Sequence, residues 1–88
     1  MPDKARADCV TATHAVEVDF APKWAESIGQ SLYYAKVLNK KPGILIIMEN
    51  GEKDLKYLKH VKSVADSYGI TVWTITPSDI DKAYFVTK

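Results

Sequence analysis

Acidic side chains recur on a predicted β-hairpin near the start of the chain. Asp8 lies in the first strand of this hairpin, and Glu17 and Asp19 lie in the second. If the chain turns symmetrically about Ala12 and Thr13, Asp8 pairs directly across from Glu17. Side chains alternate between the two faces of a strand, so all three carboxylates share one face. Carboxylate oxygens suit Mg²⁺ and Mn²⁺, and the pattern therefore predicts a metal site formed by Asp8, Glu17 and Asp19.

A structural cluster of ion pairs is the second interpretation of the same residues. Like charges directly opposite each other destabilise a sheet, so these acids need a counter-charge. Arg6 would pair across from Asp19, and Lys23 follows Asp19 closely enough in the sequence to return towards the acids. Two alternatives therefore stay open at this point: a bound divalent cation, or Arg6 together with Lys23.

A polar stripe on the helix that follows the hairpin would complete a catalytic site. Four residues are spaced at helical intervals and share one face: Lys23, Ser27, Gln30 and Tyr34. A lysine near a metal ion can position or deprotonate a water molecule, and this combination suits phosphodiester hydrolysis. Lys23 is the candidate for that role. Tyr33 lies on the neighbouring helix face and is expected to belong to the core.

The order of these residues resembles the motifs of the PD-(D/E)XK nuclease superfamily. In that family a hairpin carries an Asp and a (D/E)-x-K motif, and some members carry Gln-x-x-x-Tyr on the next helix. Asp8, then Glu17 with Asp19, then Gln30 with Tyr34 follow this order. The resemblance covers roughly residues 6–75, and residues 14–35 also resemble a group of small uncharacterised bacterial nuclease-like proteins. It implies that Asp8 and Glu17 bind Mg²⁺ and a water molecule.

The chain departs from the family pattern at two points. Asp19 occupies the position of the motif lysine, and Lys23 is expected to substitute for it. The family core also has a helix and a strand before the Asp-bearing strand, and this chain has no room for them.

From the resemblance we expect a Mg²⁺-dependent nuclease-like domain, an endonuclease that hydrolyses DNA. The alternative is a catalytically degenerate nuclease fold that acts as a nucleic-acid-binding or protein-assembly module.

Hydrophobic patterning predicts the elements that would position these residues. A hairpin at 6–20 precedes helices at 22–38 and 52–68, which alternate with strands at 43–48 and 70–75. Such alternation is typical of α/β proteins with parallel strands and right-handed crossovers, and the leading hairpin makes the sheet mixed. The expected fold is a minimal restriction-endonuclease-like core with the order strand-strand-helix-strand-helix-strand.

The composition is typical of one small domain spanning residues 1–88. The net charge of +1 gives no indication of a polyanionic partner by itself. No apolar run reaches the ~18 residues of a membrane span, and the start of the chain has no targeting signal, so we expect a soluble protein that works in the cytoplasm. A core of this size and an uncovered sheet edge favour a homodimer.

Three further expectations concern the ends of the chain and its single cysteine. Cys9 is expected to be a buried structural thiol that pairs across from Val16, on the face opposite the acids. Residues 1–5 are expected to form a frayed tail. Residues 83–86 are ambiguous and are a candidate for an edge strand.

Overall fold

The computed structural model describes residues 7–79, which form a four-stranded mixed sheet with helices packed on one face. The strands are β1 (Cys9–Val10), β2 (His14–Phe20), β3 (Lys41–Ile47) and β4 (Thr71–Ile75), and the α-helices are α1 (Trp24–Leu38) and α2 (Leu55–Tyr68). Short 3-10 helices at Ala21–Lys23 and Gly51–Asp54 lead into α1 and α2. The α/β class and the element order predicted from the sequence are confirmed, whereas the restriction-endonuclease-like core stays a prediction.

The order of the strands across the sheet is the same as their order along the chain. β1 is antiparallel to β2, while β2, β3 and β4 are mutually parallel. Helix α1 packs on β2 and β3, and α2 contacts β4 and α1. Since crossovers between parallel strands are right-handed, successive crossovers in one direction place both helices on the same face.

The N-terminal hairpin has the predicted register but a shorter first strand. Cys9 pairs with Val16, as expected for a turn centred on Ala12 and Thr13. The ladder does not extend to Asp8, because the carboxylate of Asp8 accepts the backbone N–H of Val18 at 2.9 Å. The Asp8 side chain thus satisfies the N–H of Val18, so no backbone carbonyl of a longer β1 is needed as its acceptor. Arg6, the predicted partner of Asp19, lies outside the described residues, as do residues 1–5 and 83–86.

The helices end where their sequences predict. Asn39 follows α1 with a φ of 56°, and Gly69 follows α2 with a φ of 67°, so both adopt the left-handed conformation that closes a helix.

After β4, the Thr76 hydroxyl accepts the N–H of Asp79 and the Asp79 carboxylate accepts the N–H of Thr76, which is a capping box. None of the helices in the described part of the chain is long and apolar enough to cross a membrane.

The hydrophobic core lies between the helices and β3, and Val72 of β4 packs against it. Its buried members are Ala21, Ile44, Ile46, Val61, Ala65 and Ile70. Partly buried residues of α1, among them Trp24, Ile28 and Leu32, pack against this cluster. The Trp24 ring also stacks on His60 of α2 with centroids 5.5 Å apart. The apolar side of α1 is therefore used to contact α2 and the middle of the sheet.

Cys9 differs from the expectation. It pairs with Val16 as predicted, but its side chain is exposed. β1 has only two residues and lies at the edge of the sheet. The prediction of a buried thiol was wrong, because strand register determines which residue lies opposite Cys9 and not what packs over it.

Side chains from β2 and β4 meet across the central strand on the sheet face opposite the helices. The Trp73 ring lies edge-on to His14 with centroids 5.5 Å apart, and His14 Nε2 lies 3.2 Å from the Thr71 hydroxyl. Trp73 also covers Gly43 of β3 so closely that a Cβ atom there would lie 2.7 Å from Cζ3 of the indole. The contact between the strands therefore requires glycine at this position.

Gly43→Ala is expected to destabilise the fold by about 1–3 kcal/mol, because the new methyl group must displace Trp73. The change should cost much less in a Trp73→Leu background, where the overlap is absent. Urea unfolding of the four proteins in this double-mutant cycle measures the coupling. Equal costs in the two backgrounds would show that the indole does not impose the glycine.

Candidate functional site

The register of β2 and β3 places the predicted acids beneath the helices. Glu17 pairs with Ile44, and Asp19 pairs with Ile46. Both isoleucines are fully buried in the helix-covered core. Since paired residues of neighbouring strands point to the same face, Glu17 and Asp19 also point towards the helices. Only 3% of the Glu17 surface is exposed.

Helix α1 covers these acids with a polar side rather than an apolar one. Its buried residues are Ser27, Ser31, Tyr34 and Ala35. The two serines are small and are fully buried, so the helix can lie close to β2. Buried polar groups need hydrogen-bond partners, and those of this helix face the acidic strand. The polar stripe predicted from the sequence is therefore partly an inner surface.

Glu17 is held where its negative charge is disfavoured. Its pKa is raised to about 7, first by burial and then by the negative charge of Asp8, a hydrogen bond with the Asp8 carboxyl group and the charge of Asp19. Its Oε1 atom is buried without a hydrogen-bond partner in the described part of the protein. A proton on Glu17 is thus a third way to balance the acids, besides the cation or the basic side chains expected from the sequence.

Asp8 is positioned beside Glu17 by the backbone of β2. Its Oδ2 atom accepts the N–H of Val18 at 2.9 Å. The backbone of Asp8 slightly offsets the rise in the pKa of Glu17 that its carboxyl group causes. The Asp8 side chain is exposed, whereas Glu17 is buried. The pair therefore joins a buried carboxyl group to an exposed one at the β1 side of the sheet.

Asp19 is held by a residue that was not among the predicted site residues. The hydroxyl of Ser27 donates a hydrogen bond to Oδ2 of Asp19 at 2.7 Å, and the backbone carbonyl of Lys23 lies farther from the same hydroxyl, at 3.3 Å. Ser27 is fully buried. Its position in the polar stripe was visible in the sequence, but its choice of partner depends on how α1 packs on β2.

Tyr34 is a buried residue of α1 that feels the charges of the acidic pair. Only 3% of its surface is exposed. Burial raises the pKa of its phenol, and the negative charge of Glu17 is the next cause, with smaller contributions from Tyr33 and Asp8. The Tyr34 hydroxyl therefore keeps its proton at neutral pH and is a hydrogen-bond donor close to both acids.

Three other residues from the sequence analysis lie on the surface. Lys23 and Gln30 are exposed, and the charges that act on Glu17 come from Asp8 and Asp19. The structure thus brings Asp8, Glu17, Asp19 and Tyr34 together and leaves Lys23 and Gln30 on the outer side of α1. Tyr33 is 53% exposed, so the prediction that it belongs to the core was wrong.

The acids form a pair rather than a cage of ligands. Within residues 7–79, no group of three or more His, Cys, Asp or Glu side chains converges to hold one metal ion. A hard cation such as Mg²⁺ needs only one or two carboxylates, because it keeps several of its waters. The Asp8–Glu17 pair fits that requirement, since Oε1 of Glu17 has no hydrogen-bond partner among the described residues.

A separate pocket of about 410 Å³ lies where α2 begins, between Pro22, Asn50 and Tyr57. None of the predicted site residues lines it. Its one buried acid, Asp54, accepts the backbone N–H of Asn50 at 2.9 Å, so this carboxylate stabilises the turn. The acidic pair remains the stronger candidate, since an unpartnered buried carboxyl oxygen needs a ligand or a proton.

The comparisons with known proteins identify no relative. No family model, no curated protein and no solved structure matches the chain.

Glu17→Gln is expected to change how stability depends on pH. Wild-type Glu17 binds its proton more tightly in the folded state, with a pKa of about 7, than its ordinary value of 4.5. Its contribution to stability is therefore greatest below the unfolded pKa and is lost as the pH rises through about 7. Relative to the variant, wild type should lose roughly 2–3 kcal/mol of unfolding free energy between about pH 5 and pH 8, since one pKa unit is worth about 1.4 kcal/mol.

Urea unfolding at several pH values measures this difference. The matched control is Glu49→Gln, which changes an exposed glutamate and should keep the wild-type pH profile. Parallel profiles for wild type and Glu17→Gln would contradict the assignment of a raised pKa to Glu17.

Ser27→Ala is expected to destabilise the protein by about 1–3 kcal/mol, because the partly buried carboxylate of Asp19 loses its donor. Ser31→Ala is the matched control, since Ser31 is equally buried but donates only to the backbone carbonyl of Ile28. That change should cost less, because the bond it removes goes to a backbone carbonyl of the same helix and not to a carboxylate. Thermal unfolding of both variants tests this, and equal losses would show that the bond to Asp19 adds nothing.

Proposed function

We propose that the protein is a divalent-cation-dependent, nuclease-like domain that hydrolyses phosphodiester bonds in DNA. The observation that supports this most is the Oε1 atom of Glu17, which is buried beside the Asp8 carboxyl group and has no hydrogen-bond partner within residues 7–79. Mg²⁺ and Mn²⁺ are the cations that suit such oxygen ligands. The family resemblance of Asp8, Glu17, Gln30 and Tyr34 points to the same chemistry.

Stability alone does not account for this arrangement of acids. Burying a carboxyl group without a full set of partners costs free energy, and an apolar pair of similar volume would avoid that cost. A carboxyl group whose pKa is strongly raised by burial and by a charged neighbour is typical of functional sites. The proton that balances Glu17 in the free protein is also easily displaced, because its pKa lies close to neutral pH.

Each residue of the site has a role in the proposed reaction. Asp8 and Glu17 would hold the cation, which when bound acidifies a water molecule and neutralises charge on the phosphate. Asp19 is fixed by Ser27 and contributes negative charge behind Glu17. The Tyr34 hydroxyl keeps its proton, since burial and the charge of Glu17 raise its pKa. Lys23 is exposed, and its proposed part is to attract the substrate.

A catalytically degenerate fold is the second candidate, and one observation favours it. Asp19 stands where the family has lysine, and its carboxylate is bonded to the buried Ser27. In this case the domain would bind nucleic acid, or assemble with another chain, without turnover. The exposed Phe20 and Trp73 on the sheet face opposite the helices offer a surface for assembly, and the expected homodimer belongs to this candidate.

Mn²⁺ or Mg²⁺ is expected to raise the melting temperature of wild type at about pH 8, where Glu17 is ionised, because a ligand that binds only the folded state stabilises it. Glu17→Gln should show no such rise, Asp8→Asn a smaller one, and the control Glu49→Gln the wild-type rise. A metal-induced rise of equal size in Glu17→Gln would place cation binding elsewhere.

Cleavage of labelled DNA by the same proteins separates the two candidates. Wild type should require the cation, and Glu17→Gln should lose at least about 100-fold in rate if the carboxylate holds the metal. Binding of DNA without cation-dependent cleavage in wild type would select the degenerate fold. Equal cleavage by wild type and Glu17→Gln would reject the proposed site.

A further inference from the structure

We draw no further inference here: the strongest candidate, the apolar sheet face opposite the helices around the exposed side chains of Phe20 and Trp73, carries no proposal, because nothing in the structure shows what covers it.

Discussion

The buried carboxyl group of Glu17 is the constraint on which the rest of the structure depends. It lies under α1 beside Asp8, and burial together with two neighbouring acids raises its pKa to about 7. The small buried side chains of Ser27 and Ser31 allow α1 to lie close to β2. A site of this kind must take up a proton or a cation, because a buried carboxylate without a counter-charge is costly.

Helix α1 meets three environments at once, and its sequence reflects each of them. One side packs Ile28 and Leu32 against the core, a second turns Ser27 and Tyr34 towards the acidic strand, and the third exposes Tyr33. Apolar periodicity predicts only the side that packs against the core. A buried serine in a helix is informative when the facing strand carries acids, as Ser27 shows by donating to the Asp19 carboxylate.

Much of the fold follows from local patterns in the sequence. The strand alternation, the Pro22 start of the first helix and the Gly69 end of the second are local features, and the element order they predict is confirmed. The hairpin register was also predictable, because the turn determines which residues face each other. The length of β1 was not predictable, because the Asp8 side chain competes with the strand ladder for the N–H of Val18.

The sequence by itself determined which side chains share a face, because a strand repeats every two residues and a helix every 3.6. That was sufficient to place Asp8, Glu17 and Asp19 together. Only the tertiary structure decided which acid is buried, which serine holds Asp19, and that Tyr34 lies inside while Tyr33 lies outside. The reason is physical: burial, and the pKa that follows from it, depends on which element packs over a face, and α1 covers β2 only through contacts between segments distant in sequence.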